Sequence, residues 1–139
     1  MNAVDSSVVV AACASWHESH DLARKAVDRR PRLVSHCALE AFSVLTRLPR
    51  PHRVPPELVV AFLEDRFRDA PLTLDAPRLH RLVRTLHEQG ITGGAVYDGL
   101  VAVSAAAHGA TLLTLDRRAV PTYRRCGVKH RLLESAAAD

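Results

Sequence analysis

The chain has 139 residues, 47% hydrophobic and 24% charged, with a formal net charge of +4. That length suits one domain whose core needs no disulfide or structural metal. No apolar run approaches the ~20 residues of a membrane span, and no basic segment precedes the first apolar stretch, so no membrane partner and a cytoplasmic location are expected.

Cys13, Cys37 and Cys126 are odd in number and form no CxxC pair, which points to reduced thiols. Lys25 and Lys129 are the only lysines; the other cations are arginines, whose planar fork suits phosphate contacts. That is weak support for a nucleic-acid partner.

Ala3-Val4 reads as a short buried strand ending at Asp5. Ser6 is expected to cap a helix over Val8–Ala14, although its three valines also suit a strand. Ser15-Trp16-His17-Glu18 matches a capping box and predicts a second helix to about Arg29, before Pro31. Arg32-Leu33-Val34 reads as a second strand. Ser35 then caps a helix from His36 to about Leu48, stopped by Pro49 and Pro51. Pro55-Pro56 open a fourth helix to Phe67. Pro71–Leu74 suggests a third strand. Asp75 caps a helix to Glu88, closed by Gly90. After Gly93-Gly94, a sixth helix runs from about Ala95 to His108. Ala110–Leu115 is the clearest strand, stopping at Asp116. A short helix near Val120–Cys126 and a strand near Val128–Leu133 complete the pattern. Alternating strands and helices predict an α/β fold, with helices on both faces of a parallel sheet. Residues 1–133 are expected to form the domain and 134–139 a frayed tail.

Among 15 acidic residues, four are unusually placed. Asp5 and Asp116 follow strands, so both enter the crevice beyond the strands' carboxyl ends if those strands are neighbours. Asp98 lies in the first turn of its helix. Glu40 sits early in the third helix, off its main apolar stripe. Each has an ordinary alternative: a cap for Asp5, a dipole partner for Asp98, a surface turn for Asp116, an exposed helical site for Glu40. Gathered together they would repel, by about 4 kcal/mol for two charges 4 Å apart at an effective dielectric near 20. A cation offsets that repulsion, and oxygen-only ligands select Mg²⁺ or Mn²⁺ over Zn²⁺. Such an ion activates water for attack on a phosphodiester.

Other chemistries find less support. His17 and His20 are three apart but lack further zinc ligands. No nucleophile triad motif, Walker loop or GxGxxG occurs. With one Trp, two Tyr and three Phe, a base-stacking platform is not expected. A receiver or phosphatase reading would need a late lysine, and Lys129 is in the wrong setting.

Four segments carry a resemblance: Val4-Asp5-Ser6-Ser7-Val8; Leu39-Glu40-Ala41 with Leu45-Thr46-Arg47-Leu48-Pro49; Tyr97-Asp98-Gly99-Leu100-Val101-Ala102 with Ala107-His108-Gly109-Ala110; and Leu113-Thr114-Leu115-Asp116-Arg117-Arg118-Ala119. Over nearly its whole length the chain resembles PIN-domain nucleases, specifically the VapC-type toxins of bacterial toxin–antitoxin pairs. The resemblance implies a PIN-like α/β/α sandwich with a central, mainly parallel sheet. It makes Asp5, Glu40, Asp98 and Asp116 a metal-binding catalytic quartet, with Asp5, Asp98 and Asp116 holding Mg²⁺ (Mn²⁺ substituting). Glu40 would complete the site or help activate water. Ser6 and Thr114 fall at neighbouring polar positions that orient water or metal, although a plain helix cap and a core strand residue are equally open readings. The resemblance further implies an endoribonuclease that hydrolyses RNA, forms a homodimer and is inhibited by a cognate antitoxin. Arg47, Arg50, Arg117 and Arg118 are candidate RNA-backbone contacts, against plain surface charge. The alternative is a non-catalytic module that binds RNA or antitoxin.

Overall fold

In a computed structural model that describes residues 1–135, four strands and seven helices alternate. In chain order they are β1 (Asn2–Val4), α1 (Ser6–Cys13), α2 (His20–Asp28), β2 (Arg32–Leu33), α3 (Ser35–Arg47), α4 (Pro56–Arg66), α5 (Ala76–Glu88), α6 (Ala95–Ala106), β3 (Thr111–Thr114), α7 (Val120–Arg125) and β4 (His130–Leu132). The sheet order is β2-β1-β3-β4 and every pairing is parallel. Val4 lies opposite Leu33 on one side and Leu113 on the other, so Asp5 emerges from the middle of the sheet.

From β1 the chain crosses outward to β2, then returns past β1 to β3 and continues to β4. Right-handed crossovers therefore place α1 and α2 on one face and α6 and α7 on the other. The order reverses between β1 and β3, which makes their carboxyl ends the topological switch point of the sheet, the usual crevice for a ligand.

The strands carry apolar residues on both faces because helices cover both. Val4, Leu33, Leu112 and Leu113 join Val8, Val9, Ala102, Ala105 and Tyr123 in the main core. Leu74, Leu82, Leu86 and Ile91 form a smaller cluster where α5 meets α6. Cys37 is buried and all three cysteines are free thiols.

Several boundaries differ from the sequence-based expectation. Asp5, not Ser6, caps α1: its side chain accepts from the backbone N–H groups of Ser7 and Val8. That cap resolves the valine-rich run as helix. The capping box at Ser15–Glu18 is not used. Residues 15–19 are turns, α2 starts at His20, and Trp16 packs against His52 with ring centroids 4.3 Å apart. The strand expected over Pro71–Leu74 is one parallel bridge, Val34 with Leu72, because the chain turns into the Asp75 cap three residues later. The last strand shrinks to His130–Leu132. Of the expected tail, Glu134 pairs with Arg117 at 3.0 Å, and 136–139 lie outside the described residues.

Candidate functional site

Asp5 is the first residue past β1, and its backbone N–H bonds to the Leu113 carbonyl of β3. It is 3% exposed. Oδ1 accepts from Ser7 Oγ at 2.5 Å and from the Ser7 and Val8 N–H groups, while Oδ2 accepts from the Tyr123 hydroxyl at 2.7 Å. Burial raises the Asp5 pKa; the hydroxyls of Ser7, Thr114 and Tyr123 and the Val8 N–H oppose that rise.

Ser7 and Thr114 tie β1 to β3 at this edge. Ser7 Oγ accepts from the Leu115 N–H at 2.9 Å, and Thr114 Oγ1 accepts from the Asp116 N–H at 3.0 Å. Asp116, two residues past β3, accepts from the Arg118 N–H at 2.9 Å. Glu40, in the second turn of α3, accepts a short hydrogen bond from Ser6 Oγ. Its other oxygen lies 3.3 Å from His36 Nε2, and the His36 ring stacks on Tyr97, the residue before Asp98.

Asp98, in the first turn of α6, reports on all of these. Its pKa is pushed up to about 6, by burial first and then by the charges of Asp116, Glu40 and Asp5, with His36 opposing. Acids from residues 5, 40, 98 and 116 therefore share one electrostatic environment at the switch point. Among the described residues, no lysine or arginine pairs with Asp5, Glu40 or Asp98, and Asp116 has only the nearly fully exposed Arg118 at 3.8 Å. Cys37 lies beneath the cluster. Burial and the charges of Asp5, Glu40 and Asp98 raise its pKa well above the usual value, so it is an inert thiol there.

The donor chemistry suits a hard divalent cation: oxygens only, mutually repelling, without an internal counter-charge. The cluster is open, however. Among the described residues, no three His, Cys, Asp or Glu side chains close around one point as a metal's ligands would.

The other candidates divide. Ser6 touches Glu40, and Thr114 is fully buried between Ser7 and the Asp116 N–H. Arg117 and Arg118 flank Asp116, with Arg117 held by Glu134. Arg47 and Arg50 are not gathered here. Arg47 is the last residue of α3, about 10 Å along the axis from Glu40, where it bonds Ser43 Oγ; Arg50 lies beyond the helix end. Sequence reasoning gave no role to Ser7 or Tyr123. Ser7 was visible as the second hydroxyl of Asp5-Ser6-Ser7, where an Asx turn forms. Tyr123 had only the general signal that a buried phenol needs a partner.

The family model described as PIN domain matches residues 3–124. The chain belongs to that family. Within it the chain is of the VapC type. It is 49% identical over 133 residues to ribonuclease VapC40 of Mycobacterium tuberculosis, covering 96% of this chain and 99% of that one. To ribonuclease VapC27 of the same species it is 43% identical over 127 residues, covering 91% and 92%. Among solved structures, PAE2754 from Pyrobaculum aerophilum superposes with a TM-score of 0.60 at 23% identity, covering 93% of this chain and 89% of that one, a likeness of fold.

Proposed function

We propose that this chain is a Mg²⁺-dependent endoribonuclease, the toxin of a toxin–antitoxin pair, acting from the acidic crevice at the β1–β3 switch point. The observation that carries this reading is the gathering of Asp5, Glu40, Asp98 and Asp116 at the switch point of the sheet, with no lysine or arginine among the described residues paired to the first three; the raised pKa of Asp98 agrees with it. The names of the VapC relatives support ribonuclease activity.

Asp5, Asp98 and Asp116 would hold the ion, with Glu40 completing the site; Mn²⁺ should substitute. When bound, the cation supplies a polarised phosphate oxygen and a more acidic water. The chain's own residues supply the rest. Ser7 and Thr114 hold the β1 and β3 ends in register, so Asp5 and Asp116 keep a fixed separation. Ser6 holds one oxygen of Glu40 by a hydrogen bond and His36 lies beside the other, which orients that half-exposed carboxylate. Arg117 and Arg118 lie where an RNA backbone would enter beside Asp116.

A cognate antitoxin and a second copy of this chain are the proposed protein partners. Supporting the second copy, Leu39 on α3 and Leu79 on α5 are 70% and 50% exposed and line one shared groove.

The test is cleavage mapping on total RNA with Mg²⁺ and with EDTA. Wild-type protein should cut only with the metal. Asp5→Asn and Asp98→Asn should fold and not cut. Full cleavage by both variants would refute the assignment. RNA binding in EDTA without turnover on adding Mg²⁺ or Mn²⁺ would favour a binding module instead.

A further inference from the structure

We propose that Tyr123 is a positioning residue that aims Oδ2 of Asp5 into the acidic crevice. The inference rests on the reading that Asp5 meets a divalent cation.

Tyr123 lies in α7, is 1% exposed, and is the bulkiest fully buried side chain among the described residues. Phenylalanine would fill the same core volume without a hydroxyl that must find a partner. The hydroxyl instead reaches 118 positions back along the chain to donate to Asp5 Oδ2 at 2.7 Å. The two oxygens of Asp5 are used differently. Oδ1 takes three donors: Ser7 Oγ and the N–H groups of Ser7 and Val8. A carboxylate oxygen has two lone pairs, so Oδ1 is saturated. Oδ2 takes the phenol on one lone pair, with the Thr114 hydroxyl also acting on the carboxylate, and its second lone pair is the one an incoming ion would meet. Donors at both ends also stop the carboxylate rotating, so folding sets the direction of that lone pair.

Tyr123 further couples Asp5 to Asp116. The Ala119 N–H bonds to the Asp116 carbonyl, and the Tyr123 N–H bonds to the Ala119 carbonyl. One short segment therefore carries Asp116 at its start and clamps Asp5 at its end. The phenol fixes the spacing between two acids that come from different strands.

The test compares Mn²⁺ binding, read by the EPR signal of free Mn²⁺, in wild type, Tyr123→Phe, Asp5→Asn and Val128→Ala. Val128→Ala loosens the same corner by removing buried methyl groups from the core that holds Tyr123, without touching the carboxylate. Tyr123→Phe should weaken Mn²⁺ binding about tenfold, the usual cost of losing a group that orients a metal ligand. It should raise the Mn²⁺ concentration needed for half-maximal cleavage equally and leave RNA affinity in EDTA unchanged. Val128→Ala should lower the melting temperature and keep Mn²⁺ affinity. Wild-type Mn²⁺ affinity in Tyr123→Phe, or an equal loss in Val128→Ala, overturns the positioning role alone. Wild-type Mn²⁺ affinity in Asp5→Asn overturns both this role and the metal-site reading.

A second measurement does not depend on the folding of Tyr123→Phe. The chain has two tyrosines, so fluorotyrosine-labelled protein gives two ¹⁹F lines, which Tyr97→Phe assigns. Adding Mg²⁺ should shift the Tyr123 line, and should not do so in Asp5→Asn. A Tyr123 line that stays still while Asp5-dependent Mn²⁺ binding is intact overturns the proposal.

Discussion

Asp98 holds its proton to about pH 6, whereas an ordinary aspartate releases it near 3.8. Between those values the folded chain keeps a proton that the unfolded chain gives up. The stabilisation is therefore complete below about pH 4 and is lost as pH rises through 6. In EDTA, Asp98→Asn should melt at a higher temperature than wild type at pH 7.5, and the gap should narrow at pH 5. Mg²⁺ should raise the melting temperature of wild type but not of Asp98→Asn at pH 7.5. Differential scanning calorimetry at the two pH values reads this directly; a gap independent of pH would mean that neither burial nor the acidic neighbours raise the Asp98 pKa. Cleavage should rise through the same range, since only the ionised carboxyl binds a cation. At this scale the sequence was informative about which acids stand at element ends, but not about what each does there. Asp5 was read as either a cap or a site residue, and it is a cap that also lies in the cluster, with its second oxygen held by Tyr123. The Tyr123 contact was invisible because 118 residues separate the partners, and no local pattern encodes such a pair.

Among the elements, those with strong local signals were legible and those decided by distant packing were not. Asp75 begins α5 as expected, accepting from the Arg78 N–H at 2.8 Å, and Gly90 ends that segment at a φ of 68° that favours glycine. Asp75→Ala should cost about 1 kcal/mol of stability, the usual value of a lost cap. It should leave RNA cleavage unchanged, because α5 contributes no acid to the crevice; urea unfolding and the cleavage assay together check this. An equal loss of activity would show that α5 helps hold α6 and Asp98 in place. Ser15–Glu18 carried an equally good local signal that the fold did not use. Ala14 is buried and the His17 N–H bonds to the Ala14 carbonyl, so the chain turns there and packs Trp16 outward against His52. Pro71–Leu74 had strand composition, but its only sheet neighbour is the end of β2, so one bridge forms.

Across the whole molecule, a net charge of +4 surrounds a crevice of carboxylates that would repel RNA on its own. On the proposed function, affinity for RNA would come from the arginines around it, and the arginines differ in position. Arg118 is almost fully exposed beside Asp116. Arg117, its neighbour, already spends charge on Glu134 at 3.0 Å. Arg47 and Arg50 lie at the far end of α3, which runs away from the strands' carboxyl edge. A backbone phosphate reaching the crevice should meet Arg118 first. In an Asp98→Asn background that cannot cut, Arg118→Ala should lower RNA affinity and reduce the slope of log affinity against log salt by about one, the signature of one lost phosphate contact. Arg117→Ala should do less, because Arg117 is already engaged by Glu134 and is less free to meet a phosphate, and Arg47→Ala least. Fluorescence anisotropy on a labelled RNA between about 50 and 200 mM salt resolves these slopes. If Arg47→Ala changes the slope more than Arg118→Ala, the strand runs along α3 rather than across the β3 edge. Glu40 and His36, on the first turns of α3, would then be the groups it meets on entering the crevice.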